Sequence, residues 1–151
     1  MRKNKKGLVP GLACGFGAVG AAAIVLSAAA SSYTGENVIS VDTTLSGESF
    51  SSSADNEASL IAIGGDSSFT GSTILASGAN SMSAVLQNSA NLSVINSTVI
   101  NSGLQGTAFL IDSASGSLLV MNSSVSSMGN LVAVQNSSAT LNLVSNMYEN
   151  G

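Results

Sequence analysis

From Val38 onward the apolar residues come in short runs rich in Val, Ile, Leu and Thr, broken by Asn, Ser and Gly. Alternation over so few residues predicts strands, and no stretch after Ser31 carries an apolar period of helix length. The runs also recur. Leu60-Ile61-Ala62-Ile63, Ala84-Val85-Leu86-Gln87, Ala108-Phe109-Leu110-Ile111 and Val132-Ala133-Val134-Gln135 start 24 residues apart each time. A further step back reaches Glu36, just ahead of Val38-Ile39-Ser40-Val41, which makes about five repeats.

Within each repeat two more strands can be followed. Leu92-Ser93-Val94-Ile95, Leu118-Leu119-Val120-Met121 and Leu141-Asn142-Leu143-Val144 form one series, and Thr73-Ile74-Leu75, Thr98-Val99-Ile100 and Ser124-Val125-Ser126 form another. Members of the third series end near Gly78, Gly103 and Gly129. Three short strands in a period in the twenties predict an all-β fold, a right-handed parallel β-helix of about five coils spanning 36–151, each coil burying its inward side chains on its neighbours. A leucine-rich repeat shares the period but needs a fixed leucine and asparagine frame that is absent here.

The turn after the first strand reads Asn88-Ser89, Asp112-Ser113 and Asn136-Ser137, with Gly64-Gly65 one repeat earlier. Stacked coils lie about 4.8 Å apart, so amides at one corner can bond up the stack as a structural ladder. In that frame Asp112 is a structural residue, and Asp66 falls beside Ala90, Ala114 and Ser138 with no second carboxylate next to it.

The N-terminus is of another kind. Met1 to Lys6 is basic, Gly7 to Leu26 is apolar, and Ala28-Ala29-Ala30 offers small residues where a signal peptidase reads them. Residues 1–30 therefore read as a signal peptide cleaved after Ala30, with Ala28 and Ala30 as the recognised positions, and 31–35 as a short linker. An uncleaved anchor helix is the alternative, since Gly7 to Ala30 could cross about 30 Å of hydrocarbon; Pro10 and the glycines at 11, 15, 17 and 20 argue against it. Either way residues 31–151 are expected to be exported, secreted or held at the cell surface.

Charge closes most chemistry. Only 8% of residues are charged, and the four basic ones, Arg2, Lys3, Lys5 and Lys6, all precede Gly7. A body without Lys, Arg or His cannot neutralise phosphates, so no nucleic-acid partner is expected. It also lacks the usual general base and the usual anion clamp. Cys14 is the only cysteine, which leaves no disulfide and no cysteine zinc site. It stands in Leu12-Ala13-Cys14, a partial lipobox weakened by Gly11.

With the repeats laid out, residues 36–151 resemble the right-handed parallel β-helices of bacterial surface proteins, especially autotransporter passengers and adhesin-like proteins. Asn96-Ser97-Thr98-Val99-Ile100-Asn101-Ser102-Gly103, echoed at Asn122-Ser123-Ser124-Val125, is similar to the polar-turn and short-strand grammar of that group. The resemblance implies an exported scaffold with a repetitive Ser/Asn-rich outer face and carries over no ligand. It departs from that group in lacking a barrel after the repeats, a sortase-type motif and a typical number of coils. Gly151 falls at the third-strand glycine with no polar cap behind it, so truncation, oligomerisation or continuation by another copy are the readings of that end.

Pectin-degrading enzymes use the same architecture, so the acids are the candidates for catalysis. Asp55 with Glu57, or Asp66 with a neighbouring coil, are the nearest approach to the carboxyl pair that glycoside hydrolysis needs. Lyase chemistry lacks its basic residue, and the chain reads as non-catalytic, with no cofactor and no metal. Gly64-Gly65-Asp66 occurs once and reads as a turn rather than a calcium repeat, and Asp55-Asn56-Glu57 as a solvated loop. Phe50, Phe69 and Phe109 are expected in the core. The expected partner is a host or neighbouring cell-surface molecule, or a second copy, with membrane contact only through an uncleaved N-terminal segment. The alternatives are a membrane-anchored, self-associating envelope component and the remnant of a pectate-lyase-like enzyme.

Overall fold

A computed structural model describes residues 33–35 and 37–151; the cleavage positions Ala28 and Ala30 and the apolar N-terminal segment lie outside the described residues. Fifteen strands follow one another with no helix among the described residues, hence none long and apolar enough to cross a membrane. They wind into a parallel β-solenoid of five coils, three strands to a coil. The first coil holds β1 (Val38–Ile39), β2 (Thr43–Ser46) and β3 (Ser49–Ser52). The second holds β4 (Ala58–Ile63), β5 (Asp66–Thr70) and β6 (Thr73–Ala76). The third holds β7 (Met82–Asn88), β8 (Asn91–Ile95) and β9 (Thr98–Asn101). Then come β10 (Thr107–Ala114), β11 (Ser117–Met121) and β12 (Ser124–Ser127), and last β13 (Asn130–Gln135), β14 (Thr140–Val144) and β15 (Met147–Asn150).

Every third strand stacks on the one before, giving three five-stranded parallel sheets: a first sheet β1-β4-β7-β10-β13, a second β2-β5-β8-β11-β14 and a third β3-β6-β9-β12-β15. The second and third sheets run in the frame read from the sequence. Leu92, Leu118 and Leu141 stand side by side, as do Ile74, Val99, Val125 and Tyr148. The first sheet corrects the even 24-residue count. Leu60 and Ala84 are partners, but Phe109, not Ala108, lies beside Ala84, and Val132 lies beside Phe109, so the steps are 24, 25 and 23 residues. Two opposite errors cancel over the pair of coils.

Inward side chains of all three sheets fill one core that includes Ile39, Phe50, Leu60, Phe69, Leu86, Phe109 and Val120. The three phenylalanines named in the sequence are all buried. The second and third sheets alternate as half-buried strands should: in β8, Leu92 and Val94 point in while Asn91, Ser93 and Ile95 point out. The first sheet does not alternate, because β4 is buried at every position. Its outward residues Ile61, Ile63, Val85 and Leu110 form a second cluster on which Tyr33, Val38 and Ala133 pack. A sheet buried on both faces reads as a continuous apolar run, which is why Leu60-Ile61-Ala62-Ile63 was so conspicuous. The chain enters along this sheet, where the Ala58 amide donates to the Thr34 carbonyl at 2.9 Å and Gly35 bridges Ala58.

Candidate functional site

The corner after the first strand is where the repeat places an amide ladder. Asn88 and Asn136 both take the left-handed conformation there (φ 57° and 49°), as Gly64 does one coil earlier (φ 76°). Asp112 does not join them. β10 carries one extra residue between Ile111 and Ala114, so Ala114 stands beside Asn88, while Asp112 remains in the strand opposite Gln135. Such a bulge re-aims a side chain, and the Asp112 carboxylate accepts a hydrogen bond from the Tyr33 hydroxyl at 2.7 Å. Ser113 belongs to the same strand, and Ser89 is exposed. Ser137 braces its corner, its hydroxyl accepting from the Ala114 amide at 3.0 Å and donating to the Gln135 carbonyl at 2.6 Å.

Tyr33 and Asp112 meet from 79 residues apart, and the Gln135 side-chain amide donates to the same Tyr33 hydroxyl at 2.9 Å. Partial burial, then the hydrogen bond to Asp112 and its negative charge, push the Tyr33 phenol from 10.0 up to about 12, with the Gln135 bond working the other way. The folded chain therefore holds this proton where the unfolded chain has lost it. The stabilisation is present below pH 10 and is lost as pH rises through about 12. In a Tyr148→Phe background, which leaves Tyr33 as the sole tyrosine, phenolate absorbance is expected to rise near pH 12, and adding Asp112→Asn is expected to bring it back toward pH 10.

A continuous ladder occurs instead at the corner between the second and third strands. Gly47, Gly71, Asn96, Asn122 and Ser145 all sit there with φ between 49° and 71°. The next residues bond coil to coil: the Ser72 amide donates to the Ser97 hydroxyl at 3.1 Å, the Ser97 amide to the Ser123 hydroxyl at 3.1 Å, and the Ser123 amide to the Asn146 side-chain oxygen Oδ1 at 2.9 Å. This is the physical content of the Asn96-Ser97 and Asn122-Ser123 motif: the asparagine takes the left-handed turn and the serine accepts the amide from the coil before. Ser97→Ala strands the buried Ser72 amide, and urea unfolding is expected to show a loss of about 1–3 kcal/mol; Ser89→Ala, on the exposed corner, is expected to stay within about 0.5 kcal/mol.

The acids are arranged differently from the sequence frame. Asp66 lies beside Asn91, not Ala90, and its amide donates to the Asp42 carboxylate at 2.9 Å, so a second carboxylate does stand one coil away. The row continues as Asn91 donates to Asp66 at 2.7 Å and Ser117 donates to Asn91 at 2.8 Å. Each carboxylate here accepts from a backbone or side-chain N–H, which accounts for the row as a corner brace. Asp55 accepts from the Ala79 amide at 2.7 Å and Glu57 from the Ser52 hydroxyl at 3.3 Å. Among the described residues no three His, Cys, Asp or Glu side chains gather as metal ligands would.

The outer face of the third sheet carries the most regular surface chemistry. Ser49, Thr73, Thr98 and Ser124 form one outward row, and Ser51, Leu75, Ile100 and Ser126 the next. Beyond that row, exposed Ser53, Ser77 and Ser102 repeat at the strand ends. Leu75 and Ile100 floor a shallow groove of about 300 Å³, with the serines as its rail. The sequence showed abundant serine but not this groove, because its rail lies just past the strands rather than in them. Comparisons with protein families, curated proteins and solved structures return no match to this chain.

Proposed function

We propose that this chain is an exported, non-catalytic surface protein of the adhesin or autotransporter-passenger kind, whose β-solenoid presents a hydroxyl-rich face to a host or neighbouring cell-surface molecule. One observation carries the reading: the rows Ser49-Thr73-Thr98-Ser124 and Ser53-Ser77-Ser102 flank an uncharged groove on one sheet face. Hydroxyls repeated about 4.8 Å apart contribute little singly. In a row they act together on an extended, uncharged surface polymer, because each contact raises the effective concentration of the next. The composition agrees, since a body without cations gives no purchase to nucleic acid.

The test is fractionation of the source cells followed by intact mass measurement. A product beginning at Ser31 in the extracellular or surface fraction is the expected result, and cell adhesion by that product should fall on Ser77→Glu with Ser102→Glu while its thermal midpoint holds. A full-length product in the cytoplasm would overturn the reading. A full-length product in the membrane fraction would replace it with an anchored envelope component.

A further inference from the structure

The hydroxyls of this solenoid fall into two classes. At the corners they serve the fold: Ser97, Ser123 and Ser137 each donate to the carbonyl two residues back while accepting an amide from the neighbouring coil. In the groove of the third sheet they do not. Among the described residues the side chains of Ser51, Ser53 and Ser77 make no hydrogen bond within the chain, and the Ser102 hydroxyl donates to the Ala76 carbonyl only at 3.5 Å. The groove floor lies in the outward row Ser51-Leu75-Ile100-Ser126, where two aliphatic side chains are bounded by a serine at each end. Thr73 and Thr98 flank that floor on one side, Ser77 and Ser102 on the other.

We infer that this groove binds a chain of neutral hexopyranose sugars, which rests on the surface-protein reading above and gives its polymer a chemical class. A pyranose ring has the complementary surface, a face of C–H groups bordered by hydroxyls. Its C–H face lies on Leu75 and Ile100, and its hydroxyls meet the serine rail, each serine donating one hydrogen bond and accepting others as the sugar requires. A volume of about 300 Å³ is at the lower end for small-ligand sites and holds roughly one or two rings. Charge selects a neutral sugar over an acidic one. Beyond Lys6 the chain carries eight acids and no Lys, Arg or His, so its field repels a polyanion. None of those acids lines the groove, yet Glu57 accepts from the Ser52 hydroxyl at its edge and adds to the repulsion there. A peptide strand is a poorer fit, because strand addition uses an open sheet edge and β6 and β9 are paired on both sides. A lipid chain is poorer still, since the aliphatic floor is only two side chains long and ringed by hydroxyls.

The test is an NMR titration of the full chain, labelled at its methyl groups, with a panel of oligosaccharides. Neutral glucan, mannan, galactan, rhamnan and N-acetylglucosamine oligomers are set against oligogalacturonate and hyaluronate. At least one neutral member is expected to bind with a Kd on the order of 1 mM or tighter, and at least about 10-fold better than either acid. The methyl signals of Leu75 and Ile100 should move, while those of Ile95 and Leu119, outward on the second sheet, should hold. Leu75→Ser with Ile100→Ser puts at both floor positions the residue that Ser51 and Ser126 already place in that row, and should weaken binding at least about 10-fold. Should that variant fail to fold, the methyl shifts of the unaltered chain decide the matter. No neutral member bound at about 10 mM, acids bound equally well, or shifts confined to another face would overturn the inference. Adhesion retained without sugar binding overturns this inference alone, whereas a full-length cytoplasmic product overturns the surface reading whatever the titration gives.

Discussion

Phe69→Ala is expected to cost about 3–5 kcal/mol, the range for removing a fully buried phenylalanine from a core that cannot collapse around the gap. The core here is narrow and walled by backbone on three sides, so the neighbouring coils have little freedom to close the space. Phe69 is fully buried in β5, and its ring meets that of Phe50 in the first coil edge to face, with centroids 5.2 Å apart and planes at 78°. The substitution therefore removes both the buried surface and a directional aromatic contact of about 0.5–1.5 kcal/mol. Single domains are stable by only about 5–15 kcal/mol, so the loss is a large share of the total. The stack couples coils chiefly to their neighbours, and the damage should be local. Hydrogen exchange is expected to show β2, β3, β5 and β6 opening while β9 and β12 keep their protection. Uniform loss across all five coils would show that the solenoid unfolds as a single unit.

Gly103→Ala should be of similar severity for a different reason. A Cβ at Gly103 would be driven into the carbonyl oxygen of Gly78 in the coil before, and a Cβ at Gly78 into that of Ala54. Gly129 repeats the pattern against Gly106. The obstructing atom is backbone each time, held by the sheet ladders on either side, so no side chain can rotate away. Overpacking of this kind costs about 1–3 kcal/mol and occasionally more, and a rigid neighbour puts this case at or above the upper end. Gly71 is the matched contrast. A Cβ there meets nothing within 4 Å, and its φ of +60° is one that Asn96 and Asn122 adopt at the same corner. Thermal denaturation of Gly103→Ala and Gly71→Asn side by side should give a large loss for the first and little change for the second. Equal effects would mean that backbone conformation, not close approach, governs both.

Much of this was legible in the residues. Short runs of Val, Ile and Leu at a step near 24, with three runs to a step, specify coils because strands that short cannot bury an apolar face except on a repeat of themselves. The glycines at 78, 103 and 129 were visible as landmarks, and Asn96-Ser97 and Asn122-Ser123 as turns, since both come from local steric and hydrogen-bonding demands. What the repeat could not disclose was anything settled by a single residue of register. The extra residue in β10 takes Asp112 out of the column of Asn88 and Asn136 and turns it toward Tyr33, and a one-residue offset puts Asn91 rather than Ala90 beside Asp66. A bulge leaves no mark in a periodic count when the next coil is one residue short. The two-sided burial of the first sheet and the meeting of Tyr33, Asp112 and Gln135 likewise depend on what lies across the fold, at separations far beyond any local pattern. Composition and period determined that this chain stacks; only the packed coils decided which side chains stand together on its surface.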